Sequence, residues 1–291
     1  MQNLSIVRPI NLIIIALNIA IVDFFISQGV HWDLSRISIL LLKVLVMVLL
    51  AAGANVINDY FDQKTDAINR PDKQVVGKSM SPKSAIRLHL ILTLLALLVA
   101  FVLTIMEQRF FYLVIALIYA VVLYFYTPFL KRIPVLGNLT IASCVAFLPI
   151  WAVDGWSLLN PLQLSTVLWL VAFAFLSNLI REWVKDVQDG EGDSNQGYDT
   201  APVRWGAEKS IQILKVMWWM LATLAMAYCY YHHSWWSWLC VFFPQLLGWF
   251  PLWIAKGDVD MARISWILKF NMVLGMFGIL INYLLFSGSW F

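Results

Sequence analysis

Of the 17 acidic residues in this chain of 291, 11 fall in two short segments. The first reads Asn58-Asp59-Tyr60-Phe61-Asp62-Gln63-Lys64-Thr65-Asp66, with Asp72 just beyond. The second reads Arg181-Glu182-Trp183-Val184-Lys185-Asp186-Val187-Gln188-Asp189-Gly190-Glu191-Gly192-Asp193 and continues to Glu208. Asn58, Asp62 and Asp66 recur at every fourth position, so on a helix they stack along one face. Asp186, Asp189 and Asp193 recur at spacings of three and four, with the same result. Like charges so placed destabilise a helix unless something neutralises them. A hard divalent cation does so, and Mg²⁺ commonly binds one or two carboxylates together with substrate phosphates. Two such faces can hold roughly two or three Mg²⁺ around one diphosphate. The plainer reading of either segment is a solvated helix end, with Lys64, Lys185 and Arg181 as local ion-pair partners. Two such segments on one side of a membrane argue against it. Arg70 and Lys73 follow the first segment, and Lys131 and Arg132 lie between the two. Arg and Lys suit phosphate oxygens, although a topological charge bias also accounts for them.

The elements that must position these residues are membrane helices. The chain is 61% apolar or aromatic and only 13% charged, where an ordinary soluble domain is nearer a quarter charged. That excludes a water-soluble enzyme, a disordered chain and a disulfide-stapled secreted domain. A span requires about 20 mostly apolar residues, and nine stretches qualify: roughly 10–29, 36–57, 84–105, 109–127, 137–156, 161–182, 209–231, 235–255 and 264–286. The expected fold is all-α, nine transmembrane helices around an apolar chamber, in a single domain over 1–291. The two long connections are 58–83 and 183–208. The first apolar run reads as a retained helix rather than a signal peptide.

With the N-terminus inside, 17 of the 20 Lys and Arg fall on the inner side, leaving Arg36, Lys43 and Arg109. The positive-inside rule then puts the N-terminus and both acidic segments in the cytoplasm, at the cell (inner) membrane, and the C-terminus outside. Cys144, Cys229 and Cys240 all lie in apolar spans and read as buried hydrophobes. His232 and His233 are adjacent and point apart on a helix, so they suggest no metal site.

Taken together, Asn58-Asp59-x-x-Asp62-x-x-x-Asp66 followed by Asn69-Arg70-Pro71 resembles the first aspartate motif of the UbiA superfamily of intramembrane prenyltransferases. Arg181-Glu182-x-x-Lys185-Asp186-x-x-Asp189-x-Glu191-Gly192-Asp193, then Gly197, Thr200-x-Pro202 and Gly206, resembles the second motif, most closely in the digeranylgeranylglyceryl phosphate synthase branch. Many members also carry Tyr-x-x-x-Lys after the fourth span. Here Lys131 is present, but the residue four before it is Thr127, with Tyr126 one further back.

The resemblance implies Mg²⁺-dependent transfer of a polyprenyl group, geranylgeranyl in that branch, from its diphosphate to a lipid-soluble acceptor through an allylic cation. It implies metal binding by Asn58, Asp59, Asp62 and Asp66 and by Asp186, Asp189 and Asp193. Arg70, Lys73, Lys131, Lys185, Arg181 and Tyr126 become candidates to contact the donor. The acceptor implied is geranylgeranylglyceryl phosphate, and an aromatic quinone precursor would use the same motifs. A bilayer is the expected surrounding, and no nucleic-acid partner is expected. A cation transporter is the alternative from another class. Transport places ionisable groups near the bilayer midplane, whereas these acids end their spans, while Asp23 and Lys43 lie within apolar stretches.

Overall fold

Long apolar runs fold here into long helices, since a backbone in lipid must bond to itself. The computed structural model describes residues 2–26, 33–69, 71–153, 159–254 and 258–287. Among them every regular element is helical, and one isolated bridge joins Val76 to Met80. In chain order the helices are α1 (Pro9–Ile26), α2 (Leu34–Phe61), α3 (Gln63–Asn69), α4 (Pro82–Glu107), α5 (Phe111–Tyr126), α6 (Leu136–Ala146), α7 (Leu148–Ala152), α8 (Pro161–Asn195), α9 (Ala201–Trp205), α10 (Ala207–His232), α11 (Trp235–Ser237), α12 (Phe243–Ile254) and α13 (Asp258–Ser287). Tight 3₁₀ turns cover Gln2–Val7, Pro71–Lys73 and Leu130–Arg132.

Among the described residues six helices are long and apolar enough to cross a bilayer: α1, α2, α4, α8, α10 and the Met261–Phe286 stretch of α13. The stretches expected to span at 109–127, 137–156 and 235–255 are shorter or interrupted, and prolines account for it. Helix α5 has 16 residues and stops before Pro128. Pro149 has no N–H to continue α6, which breaks at Phe147. Pro244 cannot bond back to Cys240, so the chain widens into a π turn over Trp238–Phe242, where the Phe243 N–H reaches Trp238 O.

The chain forms two compact units. The first comprises Met1–Ile133 and Trp151–Asp154. Its centre is α2, against which α1, α4 and α5 pack. Lys43, Val46, Met47, Leu50, Gly53, Val56 and Ile57 recur at helical spacing on the buried face. Gly53 lets α4 come close: a Cβ there would lie 3.2 Å from Thr93 Oγ1, and the Gly53 carbonyl bonds His89 Nδ1 at 3.0 Å. At the end of α2 opposite the acidic segment lies a buried ion cluster. Asp23, fully buried on α1, accepts from Lys43 Nζ at 3.0 Å and from Arg36 Nη2 at 2.7 and 2.8 Å. Lys43 also donates to Ala152 O at 3.0 Å. Arg36 and Asn58 are 22 residues apart, about 33 Å of helix, close to the hydrocarbon thickness of about 30 Å.

The second unit comprises Pro134–Ile150 and Gly155–Phe291. Helices α6, α10 and α13 pack on α8 around Ile180, Trp183, Val184, Leu214, Trp218, Ile264 and Leu268. A capping box of Asn160 and Gln163 starts α8. Its 35 residues span about 52 Å, so its C-terminal turns project past the apolar layer. The segment expected as a loop over 183–208 is therefore helix as far as Asn195. Tertiary contacts override the weak helix propensity of its glycines and aspartates. Trp183 is buried, donates to Ser210 O at 3.1 Å and stacks on Trp205 of α9. Gly190 sits where a Cβ would lie 3.8 Å from Pro202.

Candidate functional site

The first acidic segment straddles a break in helix. Helix α2 ends at Phe61, Asp62 is its C-cap, and α3 begins at Gln63. Helical bonding persists across the break, Asp62 N to Asn58 O and Asp66 N to Asp62 O, both 2.8 Å. Asn58, Asp62 and Asp66 therefore stay nearly in line. Asp62 is the hub. Its Oδ2 accepts from Lys131 Nζ at 2.7 Å and from Asn58 Nδ2 at 2.8 Å. Its Oδ1 is buried and accepts no hydrogen bond. Asn58 Nδ2 also donates to Thr127 Oγ1 at 2.9 Å. Arg8 Nη2 donates to Asp59 Oδ1 at 2.8 Å and to Asn58 Oδ1 at 3.2 Å. The Asp66 carboxyl is pushed up to about 6, first by burial and then by the charges of Asp62 and Asp59. Arg70 and the Lys73 side chain lie outside the described residues. Tyr126 closes α5, and it is Thr127 beside it, fully buried, that bonds to the cluster.

The second acidic segment is built on α8 in the other unit. Asp186 Oδ2 accepts from Asn138 Nδ2 at 2.7 Å, with Asn138 buried on α6. Glu182 is buried and accepts from Lys185 Nζ at 2.6 Å and Arg181 Nη1 at 3.1 Å. The two cations expected to face a donor thus converge on one carboxylate of their own helix. Asp189 and Asp193 follow on α8, and Asp193 is fully buried.

Four contributors escape a reading of the sequence. Arg8 looks like a topological charge, and 50 residues separate it from Asn58. Thr127 appears there as a departure from a motif, not as a hydrogen-bonding group. Asn138 reads as one polar residue in an apolar run. Glu182 sits in plain view, but only the fold reveals its pairing.

The first segment offers what a hard divalent cation needs: carboxylate and amide oxygens, an unsatisfied buried Oδ1 on Asp62 and mutually repelling carboxylates. Among the described residues no three His, Cys, Asp or Glu side chains converge as a ready-made metal cage. Mg²⁺ does not require one, because it keeps waters and takes phosphate oxygens for much of its shell.

Comparison with known proteins follows the same line. The UbiA prenyltransferase family model matches residues 16–277. The digeranylgeranylglyceryl phosphate synthase of Methanopyrus kandleri is 30% identical over 289 residues, 97% of this chain and 98% of that protein. A solved structure of digeranylgeranylglyceryl phosphate synthase superposes with a TM-score of 0.68 at 25% identity, covering 97% of each chain. A UbiA homologue from Archaeoglobus fulgidus, solved with GPP and Mg²⁺, shares the fold with a TM-score of 0.63 at 17% identity, over 96% of this chain and 99% of its own.

Proposed function

The chain belongs to the UbiA prenyltransferase family, and on that premise we propose that it transfers a geranylgeranyl group from its diphosphate to geranylgeranylglyceryl phosphate. It is a multi-pass membrane enzyme of the prenyltransferase class. The acceptor is read from relatives such as the Methanopyrus kandleri enzyme, whose name carries that product. In our reading the chain is one domain over residues 1–291 with nine membrane crossings, the shorter and broken helices counted. The N-terminus and both acidic segments face the cytoplasm.

The observation that carries the proposal is the Asp62 hub. A carboxylate held by Lys131 and Asn58, with one oxygen still unsatisfied, suits a metal–diphosphate group. We assign Mg²⁺ binding to Asn58, Asp62 and Asp66, with Asp59 beside them, and to Asp186, Asp189 and Asp193. Bound Mg²⁺ supplies neutralisation of the charge that develops on the departing diphosphate. Lys131 donates to that group from beside Asp62, and Arg70, Lys73, Arg181, Lys185 and Tyr126 are the further candidates to contact the donor. The donor C1–O bond breaks with its electron pair leaving on the diphosphate. An acceptor hydroxyl oxygen then bonds to the allylic carbon and loses its proton, giving an ether.

The test is a product assay with purified protein, Mg²⁺ and geranylgeranyl diphosphate, offered geranylgeranylglyceryl phosphate, a hydroxybenzoate or a hydroxynaphthoate in parallel. Ether formed with the glycerophosphate alone is the expected result. Product with an aromatic acid alone overturns the acceptor, and no product with any acceptor overturns the enzymatic reading.

A further inference from the structure

We propose that residues 2–8 form a strap over the first acidic segment and that Arg8 is a positioning residue for it. Three consecutive residues are fixed there. Ile6 is buried among Val56, Val75, Val76 and Ala85. The Val7 carbonyl accepts from Asn55 Nδ2 at 2.9 Å. Arg8 bonds Asn58 and Asp59. Asn55, Asn58 and Asp59 lie three and four apart, so one face of α2 receives both Val7 and Arg8. Arg8 is also held at φ 54° just before Pro9 opens α1, a left-handed conformation uncommon for any residue but glycine. A purely topological arginine would lie in the headgroup layer and need none of this.

The chemistry of the guanidinium fixes what Arg8 does. It has five donors and no acceptor, so the Asn58 atom facing it is the amide oxygen. The Asn58 nitrogen is thereby turned to Asp62 Oδ2 and Thr127 Oγ1, where it donates to both. One arginine thus sets the amide orientation that holds the hub carboxylate. Asp59 serves as the counter-charge of Arg8, which leaves Asp62 and Asp66 as the carboxylates presented to a cation.

This inference rests on assigning Asn58 and Asp62 to the donor site, and two readouts on the full-length protein keep the two separable. The first is backbone hydrogen exchange over residues 2–8 and 55–62 in metal-free protein. The second is the Mg²⁺ concentration for half-maximal turnover. Arg8→Gln and Asp59→Asn each raise exchange in both segments and raise the Mg²⁺ requirement about tenfold or more, as loss of partners behind metal ligands does. The double variant is no worse than Arg8→Gln alone, because both substitutions break the Arg8–Asp59 pair. Arg8→Lys falls in between, since an ammonium satisfies Asp59 but lacks the fixed planar fork whose Nη2 is shared between Asp59 and Asn58. Unchanged exchange and Mg²⁺ requirement in Arg8→Gln, or additive effects in the double variant, overturn the positioning role. Wild-type protein that forms no prenyl product overturns the proposed function instead, and the exchange comparison then decides the strap by itself.

Discussion

Replacing Asp62 with asparagine separates charge from shape at the hub of the first acidic segment. The Lys131 ammonium lies 2.7 Å from Asp62 Oδ2, with the two side chains 11% and 7% exposed. At an effective dielectric constant near 20, charges that close attract by about 6 kcal/mol. Desolvation of both groups takes back most of it. Asp62→Asn keeps an oxygen towards Lys131 and Asn58, so the net loss is that of a charge-assisted bond made neutral, about 1.5–3 kcal/mol. A typical domain has about 5–15 kcal/mol in hand, so the variant folds and melts somewhat lower. On the proposed assignment turnover falls much further, on the order of a hundred- to a thousandfold or more, because the lost charge is the one that would hold the cation neutralising the departing diphosphate. The assay pairs thermal melting in detergent with single-turnover release of diphosphate from labelled donor. Near-wild-type turnover in folded variant would refute the reasoning and make the segment a solvated helix end. Failure to fold would refute the energetic half, by showing that Asp62 is chiefly structural.

Two further perturbations bear on the same unit. Thr127→Val removes the hydroxyl that accepts from Asn58 and leaves a partly buried amide N–H one bond short, at about 1 kcal/mol; Thr127→Ser restores both melting temperature and donor KM, and equal behaviour of the two variants contradicts the role given to that hydroxyl. Asp23→Asn removes the counter-charge of buried Lys43, which keeps its bond to Ala152 O, and of Arg36, and lowers stability by about 3–5 kcal/mol; adding Lys43→Met recovers part of it, and a double variant as unstable as the single one contradicts the ion pairing described.

How far the sequence reaches depends on how local the determining physics is. Hydropathy counts apolar residues, and it locates the six long helices, because burial of apolar length in lipid decides them. It does not see the hydrogen bonds that Pro149 and Pro244 withhold, so it overestimates helix continuity at 137–156 and 235–255. Periodicity places Asn58, Asp62 and Asp66 in line, since four-residue spacing needs no tertiary knowledge. The partners of those residues are another matter. Lys131 reaches Asp62 from 69 residues away and Arg8 reaches Asp59 from 51. Asn138 meets Asp186 from 48. No local signal encodes such pairings. On α8 the glycines and clustered acids favour a loop, and the buried Trp183 outweighs them.

The continuity of α8 bears on how this protein can vary. Carboxylates on a loop can be re-aimed by lengthening or shortening it. On an unbroken helix each inserted residue turns everything beyond it by about 100° and advances it about 1.5 Å. One residue added between Asn178 and Asp186 would swing Asp186, Asp189 and Asp193 off their face together and part Asp186 from Asn138. The same residue added after Asn195, where the helix ends, would leave all three carboxylates in place. On this geometry the alignment of the three carboxylates tolerates a change in length beyond Asn195, and the spacing within the segment behaves as a fixed ruler.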